Sequence, residues 1–79
     1  MYTRTVVYTL VMSEEAQKLG RNLKRIRTKK GITQGDIVRA FGMPKSFVSS
    51  IENGKTNPTL STIAKLAKAI GVSVGELMK

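Results

Sequence analysis

Apolar positions in this chain change their period once, near residue 13. Residues 1–12, MYTRTVVYTLVM, are rich in Val, Thr and Tyr and poor in helix formers. Read as a strand, Tyr2, Arg4, Val6, Tyr8 and Leu10 share one face, and Thr3, Thr5, Val7, Thr9 and Val11 the other. A lone strand is not stable in water. This stretch is therefore expected to pair, for instance with its twin in a dimer, or to stay a frayed arm. Met12 also offers an alternative start, which would make the preceding residues an upstream extension.

From residue 13 the spacing becomes helical. Ser13 is a suitable N-cap, and Glu14 and Glu15 suit a helix N-terminus. Leu19, Leu23 and Ile26 recur at helical intervals, Lys29 and Lys30 fall in the last turn, and Gly31 is placed for the C′ position. Thr33 and Asp36 resemble a capping box for a second helix, whose apolar side is Ile37, Val38 and Phe41. Gly42 allows a tight turn, and Pro44 stands at or near the start of a third helix. There Phe47, Val48 and Ile51 take the core side, and Asn53-Gly54 ends the helix. Lys55 to Asn57 form a loop. Thr59 caps a fourth helix with Leu60, Ile63, Ala64, Ala67 and Ile70 inward, closed by Gly71. Ser73 and Glu76 form a capping box for a short fifth helix carrying Leu77 and Met78. The expected organisation is an arm over residues 1–12 and one all-α domain over residues 13–79.

Charge narrows the partner. Fourteen Lys+Arg against five Asp+Glu give a formal charge of +9 in 79 residues, which favours a polyanion. No apolar run approaches the roughly 18 residues of a membrane span, and no signal peptide is read. With no Cys and no His, disulfides are excluded and no metal or cofactor is expected. Cysteine absence also fits a reducing cytoplasm. The same lack of His and Cys, few carboxylates and the absence of a phosphate-cradling Gly loop argue against an enzyme. A chain this short often needs help from a partner subunit.

Thr33–Lys55, TQGDIVRAFGMPKSFVSSIENGK, combines two short amphipathic helices across a Gly turn. This is a helix-turn-helix layout, in which the second helix, here about 45–52, is offered to the DNA major groove. Lys45, near the start of that helix, can donate to guanine O6 and N7. Ser46 and Ser50 fall opposite the apolar side, and Ser49 is placed for phosphate or solvent. Gln34 is either a plain helix-start residue or a phosphate contact. Arg21, Lys24 and Arg25 on the first helix either flank the DNA backbone or add solubility.

Three stretches carry a family resemblance: LKRIRTKKGITQ from Leu23, GMPKSFVSSIENGKTNPTL from Gly42, and LAKAIGVSVGEL from Leu66. From Leu23 to Leu77 the chain resembles the Cro/lambda-repressor-like, or XRE-type, helix-turn-helix family. The resemblance implies a compact five-helix DNA-binding domain that acts on double-stranded DNA as a homodimer. It implies phosphate contact by Gln34, an exposed reading face of Lys45, Ser46, Ser49 and Ser50, and backbone contact from Asn53, Lys55 and Asn57. It also implies an ion pair, Arg27 with Glu52, tying the first helix to the end of the third. Pro44 departs from the family's usual Ser or Thr cap, and Lys with three serines departs from its usual Gln or Arg readers. The fifth helix, with Val74, Leu77 and Met78, is the expected dimer interface.

The resulting expectation is a cytoplasmic transcription regulator on an inverted-repeat operator, such as a restriction-modification controller or phage repressor. The alternative is an antitoxin-type interaction module whose main partner is a toxin protein bound by the N-terminal strand or the fifth helix.

Overall fold

The computed structural model describes the backbone of residues 2–79 and the side chains from Glu14 onward. Five helices follow in order: α1 Tyr2–Lys29, α2 Gln34–Phe41, α3 Lys45–Glu52, α4 Leu60–Ile70 and α5 Val74–Met78. Among the described residues all regular structure is helical.

The N-terminal stretch departs from the strand expectation. Its backbone continues α1, so Ser13 lies inside a 28-residue helix and does not cap one. Val, Thr and Tyr cost only tenths of a kcal/mol in a helix, whereas a single strand has no ladder partner within one chain. The strand faces read for Tyr2 to Val11 concern side chains outside the described residues.

From Ala16 onward α1 buries one stripe: Ala16, Leu19, Leu23 and Arg27. Gly20 lies in the same stripe and is buried. A Cβ at Gly20 would fall 2.3 Å from the Ile51 carbonyl oxygen and 2.6 Å from that of Glu52. Only hydrogen at this position lets α1 lie directly against the last turn of α3.

Local signals set the remaining ends. Thr33 Oγ1 accepts from the Asp36 N–H at 3.0 Å, and the Asp36 carboxylate accepts from the Thr33 N–H at 2.8 Å. Gly42 closes α2 at φ 69°, its N–H donating to Val38 O at 2.7 Å. That left-handed residue turns the chain back so that α3 follows α2 within three residues. Thr59 caps α4 and Ser73 forms a capping box with Glu76 on α5.

The core is one cluster with members from every helix: Leu19 and Leu23, Ile37, Val48 and Ile51, Ile63, Leu66 and Ile70, and Leu77, with Met43 from the turn. The α4 stripe differs from the expected one. Leu66 is fully buried, whereas Leu60 is 71% exposed and Ala64 faces solvent. Ile63, Leu66, Ala67 and Ile70 keep the i, i+3, i+4, i+7 rhythm, and Ala64 stands about 100° away from Ile63 on that wheel. Leu60, the first residue of α4, precedes the stripe by a turn.

Two long polar bonds fasten the C-terminal half to α1. Asn22 Nδ2 donates to Leu77 O at 2.7 Å, and Lys30 Nζ donates to Ile70 O at 2.9 Å. Each satisfies a helix-end carbonyl that has no partner within its own helix.

Substituting Gly20→Ala should destabilise the protein by at least about 1–3 kcal/mol, the usual scale of overpacking, as read from urea unfolding. Gly35→Ala, where the nearest atom is a flexible Arg39 guanidinium nitrogen at 3.4 Å, serves as the control and should be near neutral.

Candidate nucleic-acid interface

The α2–Gly42–α3 unit is built so that its inner side is core and its outer side is polar. Val48 and Ile51 are fully buried, and Phe47 packs partly against the same cluster. Helical geometry then turns Lys45 and Ser46 outward, and both are exposed. Ser49 and Ser50 are half-buried on the flanks of α3. Asn53, Lys55 and Asn57 are exposed in the segment beyond it.

Pro44 occupies the N-cap position of α3 in extended backbone and supplies no side-chain cap. Its carbonyl accepts the N–H groups of Phe47 at 3.0 Å and Val48 at 3.2 Å. The first turn of α3 is therefore started by backbone bonds and by the fixed φ of proline. At the other end Asn53 N–H donates to Ser49 O at 3.0 Å, and Lys55 N–H to Ser50 O at 2.9 Å. Asn53 Nδ2 also reaches Ser49 Oγ at 3.4 Å. These bonds hold the chain close to the end of α3 as it leaves the helix.

Beneath this surface lies a buried polar cluster. Arg27 is 9% exposed and Glu52 is 8% exposed. Arg27 Nε donates to Glu52 Oε2 at 2.6 Å and Arg27 Nη2 to Glu52 Oε1 at 3.0 Å, a two-pronged bond. Arg27 Nη1 donates to Ile32 O at 2.8 Å. Gln34 Nε2 donates to Glu52 Oε1 at 3.0 Å. One carboxylate thus joins α1, the start of α2 and the end of α3. No buried side-chain nitrogen or oxygen among the described residues lacks a partner. The Gln34 bond to Glu52 was not foreseen from sequence, since eighteen positions separate the two and no local pattern joins them.

The fifth helix corrects one expectation. Leu77 is fully buried in the protomer's own core and offers no surface to a partner. With Val74, which packs partly against the same cluster, it anchors this five-residue helix to the core. Met78, 37% exposed, is the accessible large apolar residue of the helix, and Val74 is half-buried against the core.

Arg21, Lys24 and Arg25 are exposed on α1. Arg25, Lys29, Lys30 and Lys79 rim a groove between the end of α1 and the α4–α5 corner, with Glu76 as its acidic member. Among the described residues no group of acidic residues could hold a metal ion. No helix among them is long and apolar enough to cross a membrane.

At α2, the Thr33 backbone N–H and then the Thr33 hydroxyl hold the Asp36 carboxyl below its ordinary value, with Arg39 adding to the effect. Desolvation opposes them and outranks each contribution of Arg39.

Comparison with known proteins adds a family. A model described as Helix-turn-helix matches residues 23–77. The HTH-type transcriptional regulator y4dJ of Sinorhizobium fredii (strain NBRC 101917 / NGR234) is 42% identical over 60 residues, spanning 76% of this chain and 78% of that protein. The restriction-modification controller protein C.AhdI from Aeromonas hydrophila superposes with a TM-score of 0.76 at 34% identity, over 81% of this chain and 97% of the other. The controller protein C.Esp1396I, solved as a tetramer in complex with its natural 35 base-pair operator, matches with a TM-score of 0.68 at 26% identity, over 81% and 95% of the two chains.

Two outcomes follow. Arg27→Met should cost about 3–5 kcal/mol, because it strands the buried Glu52 carboxylate; chemical unfolding measures this. Because the folded-state value of Asp36 is depressed, its stabilising effect is present above the unfolded carboxylate value. It is lost as pH falls through the lower, folded one. Asp36→Asn should therefore flatten the acid limb of a melting-temperature-versus-pH curve.

Proposed function

The chain belongs to the helix-turn-helix family, and we propose that it is a sequence-specific transcription regulator that binds double-stranded DNA as a homodimer. The observation that carries this is the outer face of α3. It is a two-turn helix whose inner side is anchored in the core and whose exposed side begins with Lys45 and Ser46. An α-helix of this kind fits the major groove. The structural likeness to C.Esp1396I, which was solved with its operator, supports the same use of the fold.

In this reading Lys45 reaches a guanine edge, and Ser46 and Ser50 make short contacts that discriminate bases weakly. Pro44 brings the chain close to the backbone of DNA at the start of α3. Ser49, Asn53, Lys55 and Asn57 contact phosphates, and Gln34 contacts another from the start of α2. With so few base-specific donors, DNA shape and bridging water carry part of the selectivity. The +9 charge supplies affinity without sequence information.

Two protomers meet through the exposed side of α5, with Val74 and Met78 at the contact. A two-fold pair presents its α3 helices to half-sites about 34 Å apart on one face of the duplex. The protein works in the cytoplasm, where its DNA lies, and acts by occupying its operator without catalysing a reaction.

A gel-shift titration against the chain's own upstream region tests the reading. Lys45→Ala should lose about 1–3 kcal/mol on the specific site and far less on random duplex. Lys55→Ala should weaken both alike and reduce the magnitude of the salt slope by about 0.9. Equal binding of specific and random DNA by all variants would falsify the reading. For the dimer, Met78→Glu should raise the dissociation constant at least about tenfold, the scale expected from burying one Met side chain, as measured by sedimentation equilibrium.

A further inference from the structure

We infer that Glu52 is a positioning residue for DNA binding: it sets the polarity of the Gln34 amide, so that an N–H and not a carbonyl is left for a DNA phosphate. The inference rests on the proposed phosphate contact by Gln34.

A glutamine amide has two ends of similar shape and opposite chemistry. Nε2 carries two donors, and Oε1 only accepts. A phosphate only accepts, so a glutamine serves it with one end and repels it with the other. An unrestrained side chain at the start of a helix visits both orientations. Gln34 is restrained. Its Nε2 lies 3.0 Å from Glu52 Oε1, and a carboxylate admits only the nitrogen end. One Nε2 hydrogen is thereby committed to Glu52, and the second remains for another acceptor.

A carboxylate near a phosphate would ordinarily work against binding. Here its charge is met by the Arg27 guanidinium at 2.6 and 3.0 Å. Arg27 is itself pinned by Ile32 O at 2.8 Å, so it stays with Glu52. The cluster is nearly dry, and hydrogen bonds there are electrostatically stronger than in water. Gln34 therefore reaches DNA already oriented, and the ordering cost of that contact falls on folding instead of on binding.

The test is a double-mutant cycle on a duplex from the chain's own upstream region, at one salt concentration, using Gln34→Ala, Glu52→Gln and the double variant. Folding of each is verified by circular dichroism. Gln34→Ala should weaken binding about tenfold, the scale of one hydrogen bond to a charged group. Glu52→Gln should weaken it similarly, because its own amide no longer dictates polarity. The double variant should be no weaker than either single one. Additive losses would overturn the inference. Parental affinity in Gln34→Ala would overturn it together with the phosphate contact, and a loss in Lys45→Ala would then show that the α3 reading itself survives.

Should Glu52→Gln fail to fold, the unaltered protein answers by NMR. Of the two Gln34 side-chain amide protons, one should stay fixed when duplex is added and the other should move downfield. If the bonded proton exchanges its partner instead, Glu52 does not hold the amide and the positioning role is rejected; if both protons stay unchanged, the phosphate contact fails and the inference with it.

Discussion

Glu52 ends the recognition helix with a carboxylate that is almost cut off from water. Such a group is costly to bury alone, and its neutrality is supplied from α1 by Arg27. The orientation of α3 is tied to this requirement, because the planar fork of Arg27 donates to both carboxylate oxygens in one plane only. Gly20 removes the remaining freedom by letting the two backbones touch at Ile51 and Glu52. Charge sets the angle between the helices, and the missing side chain sets their distance. The hydrophobic cluster then fills the space that those two constraints leave.

The same arrangement separates two kinds of surface. The residues that fix the fold are inside or at helix ends: Leu23, Ile37, Val48, Leu66 and Leu77 in the core, and Thr33, Thr59 and Ser73 at the caps. Of those assigned to DNA, Lys45 and Ser46 stand outside this frame, whereas Gln34 is bonded into it through Glu52 and Pro44 starts α3. Positive charge is spread further, over α1 and around the α4–α5 corner, so long-range attraction for a polyanion extends beyond α3.

Much of the architecture was legible in the sequence because its signals are local. Thr33 with Asp36, Gly42, Thr59 and Ser73 with Glu76 each mark a helix end within four residues. The periodicity around Phe47, Val48 and Ile51 is enough to say which way Lys45 and Ser46 point. Reading failed where the deciding partner is distant. Val, Thr and Tyr suggested a strand over residues 1–12, but strand formation depends on a second strand. In α4 the sequence spacing favours Leu60, whereas the packing of the other helices selects Leu66 and leaves Leu60 exposed. Leu77 was given to a partner when its own α1 and α4 claim it. Gly20 carried no signal at all, since a glycine within a helical pattern reveals nothing of what lies against it.

Lys45 and Ser46 make up the exposed side of α3, with half-buried Ser49 and Ser50 on its flanks, and none of the four is a member of the core. Short hydroxyl side chains there impose no shape of their own. Replacing them alters what the helix meets without altering how the helix is held. The domain can therefore change its target by drift at a few positions outside its core. The sequences of such domains would then diverge fastest where they touch the outside, and slowest at Gly20, Arg27 and Glu52.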